Sequence, residues 1–301
     1  MSYRIAIDVG GTFTDVVAFD NDTAEVSFHK VATTPDDPGR GIIDGFAAAG
    51  VSVDQITHFV HGTTLGLNAL LTRTGARTGI VTTRGFRDVY LLGRTDRRPM
   101  YDFTYRKPAS LVQRSDIFEV PERLNHRGDV LVAFDENEAR RVAAEIGRSG
   151  VAAVAVCFLH SYANPAHETL MAAVLAEVAP HVDVTISSDL SRELREYERT
   201  STAVIDAYIK PQIHTYLDRL QATLAGQGFR GQFLMTRSGG GAMSVRSRPR
   251  ACGPGQLGVS DEFGDSREKA PASLHLGGGE ESAGANSFGV GTPSPTVRGM
   301  G

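Results

Sequence analysis

The stretch that most constrains the fold lies at the start of the chain, where two short apolar runs flank a pair of glycines. Ile5 to Val9 is cut off by Gly10-Gly11, and Val16 to Phe19 ends at Asp20-Asn21-Asp22. This is the pattern of a strand, a glycine turn and a returning strand. Glu25 to Ala32 supplies a third strand, so the chain opens as an antiparallel β-meander rather than as a strand leading into a helix. That order limits what the glycines can do.

The turn itself reads Asp8-Val9-Gly10-Gly11-Thr12-Phe13-Thr14-Asp15. Glycines let backbone N–H groups approach a polyphosphate, and the hydroxyls of Thr12 and Thr14 can donate to phosphate oxygens. A carboxylate at a strand end, Asp8, suits a hydrated Mg²⁺ or the positioning of an attacking group. The competing reading is a tight hairpin whose Thr and Asp side chains satisfy the turn. No Gly-Lys-Ser/Thr follows, so this is not a Walker A loop. The returning strand and the spacing also exclude the dinucleotide Gly-x-Gly-x-x-Gly pattern. What remains resembles the hairpin phosphate loop of actin-like sugar kinases, and the chemistry implied is phosphoryl transfer or nucleotide hydrolysis.

From Asp37 the pattern alternates between helix and strand, with Pro38 suited to an early helix position and apolar residues at helical spacing through Ala49. Thr57 to His61 reads as a strand, Leu65 to Thr72 as a helix and Thr78 to Thr82 as a strand. Asp135, with Glu138 three residues on, caps a helix that runs to about Arg148 and is stopped by Gly150. Val151 to Leu159 has the composition of a strand buried on both faces. Pro165 to Val178 is amphipathic, Val182 to Ser187 alternates, and Glu193 to Leu224 is mostly helical with an expected kink at Pro211. Gln232 to Thr236 is the last clear strand. After Val245 glycine and proline become dense, periodicity is lost, and the segment to Gly301 reads as a disordered tail.

With 301 residues, 41% of them hydrophobic, the chain can bury one large core or two modest ones. A net charge of -4 and the lack of a dense Lys/Arg run point to a small-molecule substrate rather than to nucleic acid or a membrane surface. Cys157 and Cys252 do not read as a designed pair, the early residues do not form a secretory signal, and no apolar stretch spans a bilayer. A soluble protein of the reducing cytoplasm is expected.

Several later segments match one family in order. They are His61-Gly62-Thr63-Thr64 with Asn68-Ala69-Leu70, Thr83-Arg84-Gly85-Phe86-Arg87-Asp88, Leu159-His160-Ser161-Tyr162-Ala163-Asn164-Pro165-Ala166-His167-Glu168 and Arg195-Glu196-Tyr197-Glu198-Arg199-Thr200-Ser201-Thr202. With the opening turn they resemble the hydantoinase A/5-oxoprolinase family, which includes the acetone carboxylase β-subunit, over roughly Tyr3 to Met243. The resemblance implies an α/β, actin-like (ribonuclease H-like) ATPase fold that uses ATP and Mg²⁺ to activate a cyclic amide or ketone. In the oxoprolinase case it implies opening of a lactam through carbonyl phosphorylation, with a hydantoinase B-like partner subunit. It makes Asp8, Asp15 and His61 catalytic candidates, with Asp8 also at the metal. The nucleotide falls to Gly10, Gly11, Thr12, Phe13, Thr14, Thr63, Thr64, Ser238, Gly239 and Gly240.

Each of these segments also has a plainer reading. Thr63 or Thr64 can be an ordinary N-cap beside a packed His61. Arg84, Arg87 and Asp88 bind an anion or form a solvated ion-pair cluster. His160 and Ser161 follow a buried strand, a position favoured by active-site residues, although His160, His167 and Glu168 lack the spacing of a metal set. Arg195 to Thr200 orders a cleft or pairs charges along an exposed helix. Ser238-Gly239-Gly240-Gly241 is a second phosphate loop or a flexible exit linker.

The expected division is an N-terminal domain at 1–188, the start of an ATPase domain at 189–245 and the tail at 246–301. The family likeness stops near Val245, as a truncated or frameshifted reading frame would produce, so one lobe and only the beginning of a second are expected. Two other functions compete: a sugar-type small-molecule kinase, and a non-catalytic fragment that binds a hydantoinase B-like partner.

Overall fold

The computed structural model describes residues 1–34, 37–94, 101, 104–236 and 241–245. The opening meander forms as its pattern requires. Strands β1 (Tyr3–Val9), β2 (Phe13–Asp20) and β3 (Val26–Ala32) are antiparallel, with Asp8 opposite Asp15 and Asp15 opposite Lys30. Alternation along β1 buries Ile5, Ile7 and Val9 and exposes Arg4, Ala6 and Asp8. The buried face needs a cover, and helix α1 (Pro38–Ala48) provides it, with Asp37 accepting from the Arg40 amide at its N-terminus. A Cβ on Gly45 would lie 2.8 Å from Val16 Cγ2, so a glycine is what lets the helix lie this close to the sheet. Phe46 then meets Phe59 edge-on at 5.2 Å between ring centroids, a contact that contributes roughly 1 kcal/mol beyond its buried area.

After a 3-10 turn at Val53–Gln55, β4 (Ile56–Thr63) runs parallel to β1. Helix α2 (Leu65–Thr72) leads away to β5 (Thr78–Thr83), the single turn α3 (Val89–Leu92), β6 (Ile117–Val120), and the ribbon β7 (Arg123–Leu124) and β8 (Val130–Val132). Next come α4 (Glu136–Ser149), β9 (Ala153–Cys157), α5 (Ala166–Val178), β10 (Asp183–Ile186), α6 (Ser187–Leu190), α7 (Glu196–Gly226), β11 (Gln232–Thr236) and β12 (Ala242–Ser244). Asp135 caps α4 through the Glu138 amide, and Gly150 ends it at φ +80°, as the sequence predicts.

Among the described residues the strands form a six-stranded sheet in the order β12-β11-β4-β1-β2-β3, a four-stranded sheet in the order β10-β9-β5-β6, and the two-stranded ribbon. Strands β1, β4 and β11 are mutually parallel, so their carboxyl ends share one edge. The four-stranded sheet is wholly parallel, and β5 and β9 are buried along their full lengths, as expected of strands covered on both faces. Helices α4 and α5 pack on one face, and Ala203, Val204 and Ala207 of α7 on the other.

Helix α7 serves both sheets. Beyond Pro211 its residues Tyr216, Leu220 and Leu224 join the core under β1, β4 and β11. The helix continues through the proline rather than stopping there, and the Tyr208 carbonyl, just before it, accepts from the Ala76 amide at 2.9 Å. Strands β6, β7, β8 and β12 and the turns α3 and α6 were not expected. They are short and weakly patterned, and β12 owes its form to pairing with β11, a tertiary contact. No helix among the described residues is long and apolar enough to cross a membrane. The tail expected at 246–301 lies outside the described residues.

Candidate functional site

Where β1 ends, the chain turns through Gly10, Gly11 and Thr12. The turn is pinned from outside by Thr33, whose amide donates to the Thr12 carbonyl and whose hydroxyl donates to the Gly10 carbonyl, both at 3.0 Å. Gly10 donates to the Phe13 carbonyl at 3.0 Å, and a Cβ on Gly10 would come equally close to that oxygen. Gly11 differs: nothing lies within 4 Å of where its Cβ would stand, so the described fold does not itself demand a glycine there. Gly11 and Thr12 are exposed residues, and their amides have no hydrogen-bond partner among the described residues.

Asp8 lies beside this turn on the exposed face of β1, and its carboxylate has no ion-pair or hydrogen-bond partner among the described residues. Its neighbour across β2, Asp15, is paired with Lys30 Nζ at 3.0 Å, and that ammonium stands 5.2 Å over the Phe13 ring. On the other side Asp8 is level with Gly62 of β4. A Cβ on Gly62 would lie 2.8 Å from Asp8 Oδ1 and 3.3 Å from Thr236 Oγ1 of β11. The register therefore draws Lys30, Asp15, Asp8, Gly62 and Thr236 into one line across the sheet. Lys30 and Thr236 were absent from the expected set, because their place depends on strand register, which no local signal reveals.

The structure brings Thr63 and Thr64 to the same edge. The Thr64 amide reaches the Val9 carbonyl at 3.5 Å, Thr63 Oγ1 accepts from the Leu65 amide at 3.2 Å, and Thr64 Oγ1 accepts from the Asn68 side chain at 3.3 Å. Thr14 and His61 are turned away. Thr14 is fully buried with its hydroxyl 3.0 Å from that of Thr33, which braces the turn from below. His61 is level with Ile7, not Asp8, and points into the core, where its ring stacks on Phe59 and its Nε2 bonds the Tyr216 hydroxyl at 2.8 Å. Burial pushes this imidazole down to about 4, opposed in part by the Ile7 backbone, so it is neutral at pH 7. Burial likewise pushes the Tyr216 phenol up. Ser238, Gly239 and Gly240 lie outside the described residues, between Thr236 and Gly241.

The remaining family-like segments gather at the carboxyl end of the four-stranded sheet. Arg84 pairs with Glu138, Asp88 with Arg114, and Arg87 with Glu119 and the Ile117 carbonyl, which is the ion-pair reading of that cluster. Arg199, in the segment read either as ordering a cleft or as pairing charges along an exposed helix, is 1% exposed, against the exposed-helix reading. Its guanidinium donates to Ser187 Oγ and to the carbonyls of Glu193 and Phe158 at 2.8–3.0 Å. Ser187 in turn donates to Glu168 Oε1 at 2.7 Å, so the buried cation and the buried carboxylate are joined through one hydroxyl. Glu168 also accepts from the amides of Phe158 and Ser188 and from the Ser188 hydroxyl. Burial pushes its carboxyl upward against the pull of those four donors. His167 bonds Glu122 at 2.8 Å, and Glu122 also accepts from Thr83. His160 is held at φ +59°, with its Nδ1 3.3 Å from the Tyr162 hydroxyl. These polar groups satisfy one another and tie α5, α6 and α7 to β9.

Sequence and structure comparisons point one way. The chain is 33% identical over 266 residues to the acetophenone carboxylase gamma subunit of Aromatoleum aromaticum, covering 81% of this chain and 36% of that protein. It is 33% identical over 260 residues to the caprolactamase subunit alpha of Pseudomonas jessenii, covering 83% and 37%. The crystal structure of that ATP-dependent caprolactamase superposes with a TM-score of 0.70 at 30% identity, over 80% of this chain and 36% of that one. The nucleotide-free structure of acetone carboxylase, from work on ATP-dependent acetone carboxylation, superposes with a TM-score of 0.72 at 25% identity, over 82% and 38%. The mixed α/β fold is therefore shared, and this chain spans a little over a third of the length of these relatives. The family described as hydantoinase/oxoprolinase N-terminal region matches residues 4–179, the hydantoinase/oxoprolinase family matches 199–252, and the chain is a member of the hydantoinase/oxoprolinase family.

Proposed function

We propose that the edge formed by Asp8, the Gly10 to Thr12 turn and the end of β4 holds the phosphates of ATP, in one lobe of an actin-like ATPase. The observation that carries this reading is the exposed pair Gly11 and Thr12, whose amides have no partner among the described residues, beside the carboxylate of Asp8, which has none there either. Free N–H groups at a turn form an anion-binding concavity, and a lone carboxylate next to it would repel a polyphosphate unless a cation stood between them. The residues fit Mg²⁺ in that respect: Asp8 is free to accept from its water shell, and Gly62 leaves room for the carboxylate to do so. When bound, the ion supplies charge neutralisation at the polyphosphate.

The chain's own residues orient and brace. Thr33 fixes the turn, and Lys30 neutralises Asp15 and leaves Asp8 as the uncompensated negative charge. Thr63 takes up the Leu65 amide at the start of α2, beside the phosphates. Thr14 and His61 support this edge from beneath rather than touching the ligand. For the whole protein we infer ATP-dependent activation of a carbonyl, with opening of a cyclic amide as the reaction and a hydantoinase B-like subunit as the partner, in the cytoplasm. This rests on the relative named ATP-dependent caprolactamase and on the structure from ATP-dependent acetone carboxylation, together with the carboxylase and caprolactamase subunits.

Calorimetric titration of the 301-residue chain with Mg·ATP tests the site. Weak but measurable binding is expected, since the chain corresponds to just over a third of its relatives, and Asp8→Ala is expected to abolish it. Equal affinity in the two proteins would remove Asp8 from the site.

A further inference from the structure

The line across the sheet contains a second oxygen with nothing bound to it. Thr236 ends β11 in an exposed position, and its hydroxyl makes no hydrogen bond among the described residues. Asp8 belongs to β1, Thr236 to β11, and Gly62 of β4 lies between them. The point a Gly62 Cβ would occupy is 2.8 Å from Asp8 Oδ1 and 3.3 Å from Thr236 Oγ1. A carboxylate and a hydroxyl from strands on either side thus lean over the one residue of this row that has no side chain. Any other residue at position 62 would fill the place where they converge.

A carboxylate only accepts hydrogen bonds, whereas a hydroxyl both donates and accepts. The pair therefore matches a ligand with protons to give and a lone pair to share, which is a water. Mg²⁺ keeps most of its waters when it binds and takes few direct protein ligands, so such a cradle suits the aquo shell of the cation and not the phosphate itself. Thr236 then differs in effect from the turn amides: it senses the cation, and they sense the anion.

We propose that Thr236, over the bare floor of Gly62, is a positioning residue that with Asp8 holds a water of the cation accompanying the nucleotide. This rests on the nucleotide reading above, and it adds that discrimination between metal-bound and metal-free nucleotide resides on β11.

The test is calorimetric titration of the full 301-residue chain with Mg·ATP and, separately, with ATP in excess EDTA, for wild type, Thr236→Val, Thr236→Ser and Gly62→Ala. Thermal melts confirm that each variant is folded. Thr236→Val should weaken Mg·ATP about tenfold, the loss of one hydrogen bond in a charged network, and leave metal-free ATP within about twofold. Thr236→Ser should restore the difference, and Gly62→Ala should erase it, because its methyl displaces the Asp8 carboxylate. Equal weakening of both forms by Thr236→Val, or no change in either, overturns the role given to Thr236 while leaving the nucleotide site intact. Failure of the wild type to bind either form overturns the nucleotide reading itself and this inference with it.

Discussion

Glu168→Gln probes the buried charge network, because the amide copies the shape of the carboxylate while removing its charge and turning one acceptor into a donor. Oε1 accepts from the Phe158 amide at 2.8 Å and Oε2 from the Ser188 amide at 3.0 Å. Each oxygen thus faces a backbone N–H that cannot rotate, so whichever way the glutamine amide turns, its NH₂ meets a fixed donor. The lost charged hydrogen bond is worth about 1.5–3 kcal/mol, and the stranded buried donor costs about 1–3 kcal/mol. Arg199, tied to Glu168 through Ser187, is left as a buried cation whose compensating charge has gone, a situation that costs about 3–5 kcal/mol when a buried pair is broken. These contributions overlap, and the net loss is about 3–5 kcal/mol. Urea denaturation followed by circular dichroism and tyrosine fluorescence, the chain having 8 Tyr and no Trp, should show the midpoint falling by about 1–2 M. The exposed Glu177, which makes two 2.8 Å bonds to Arg140, gives the contrast: Glu177→Gln should leave the midpoint in place. A Glu168→Gln midpoint equal to wild type would show that the carboxyl is not held as an ion by these donors, and the coupling to Arg199 would fail with it.

Three further perturbations probe the six-stranded sheet and its turn. His61 is pushed down to about 4 from 6.5, so the unfolded chain takes up this proton first. The contribution to stability is full above pH 6.5 and is lost as pH falls toward 4, by about 3 kcal/mol in all. His61→Phe should flatten that limb of the stability profile, and superimposable profiles for the two proteins would refute a neutral buried imidazole. Gly231→Ala would set a Cβ 2.5 Å from the carbonyls of Ile56 and Thr57, rigid atoms that cannot swing aside, and should lower stability by about 2–3 kcal/mol or more. Gly11→Ala meets nothing and should melt as wild type does while binding Mg·ATP more weakly. A Gly11→Ala variant with lowered melting temperature would mean the turn needs glycine for its own sake.

The elements that the sequence revealed are those written in local chemistry. Asp135 and Gly150 bracket α4, the glycine pair bends β1 into β2, and the unbroken apolar run around Ala153–Cys157 marks a strand covered on both faces. Contributions fixed by register were hidden. His61 and Gly62 are adjacent in sequence and both buried, yet parity turns one to the core face beside Ile7 and the other to the opposite face beside Asp8, and only the pairing of β4 with β1 decides which is which. Thr14 follows the same rule one strand over. Arg199 was hidden for another reason: a charge at i, i+3 spacing reads as solvated, and its burial depends on Ser187 and Phe158 being carried to it by other elements. A threonine closing a strand, as Thr236 does, carries no signal of its own.

The neighbours β4 and β11 are separated along the chain by residues 64–231, which build the four-stranded sheet and its helices. During synthesis β4 therefore leaves the ribosome with one side bonded to β1 and the other an open rack of amides and carbonyls, and it stays so until Gln232 arrives. Such a flank is adhesive toward any extended segment, and a parallel partner from so distant a position joins slowly. The interval between those two strands is thus the period in which the nascent protein is most exposed to mispairing, and β11, delivered directly after α7, is the element that ends it.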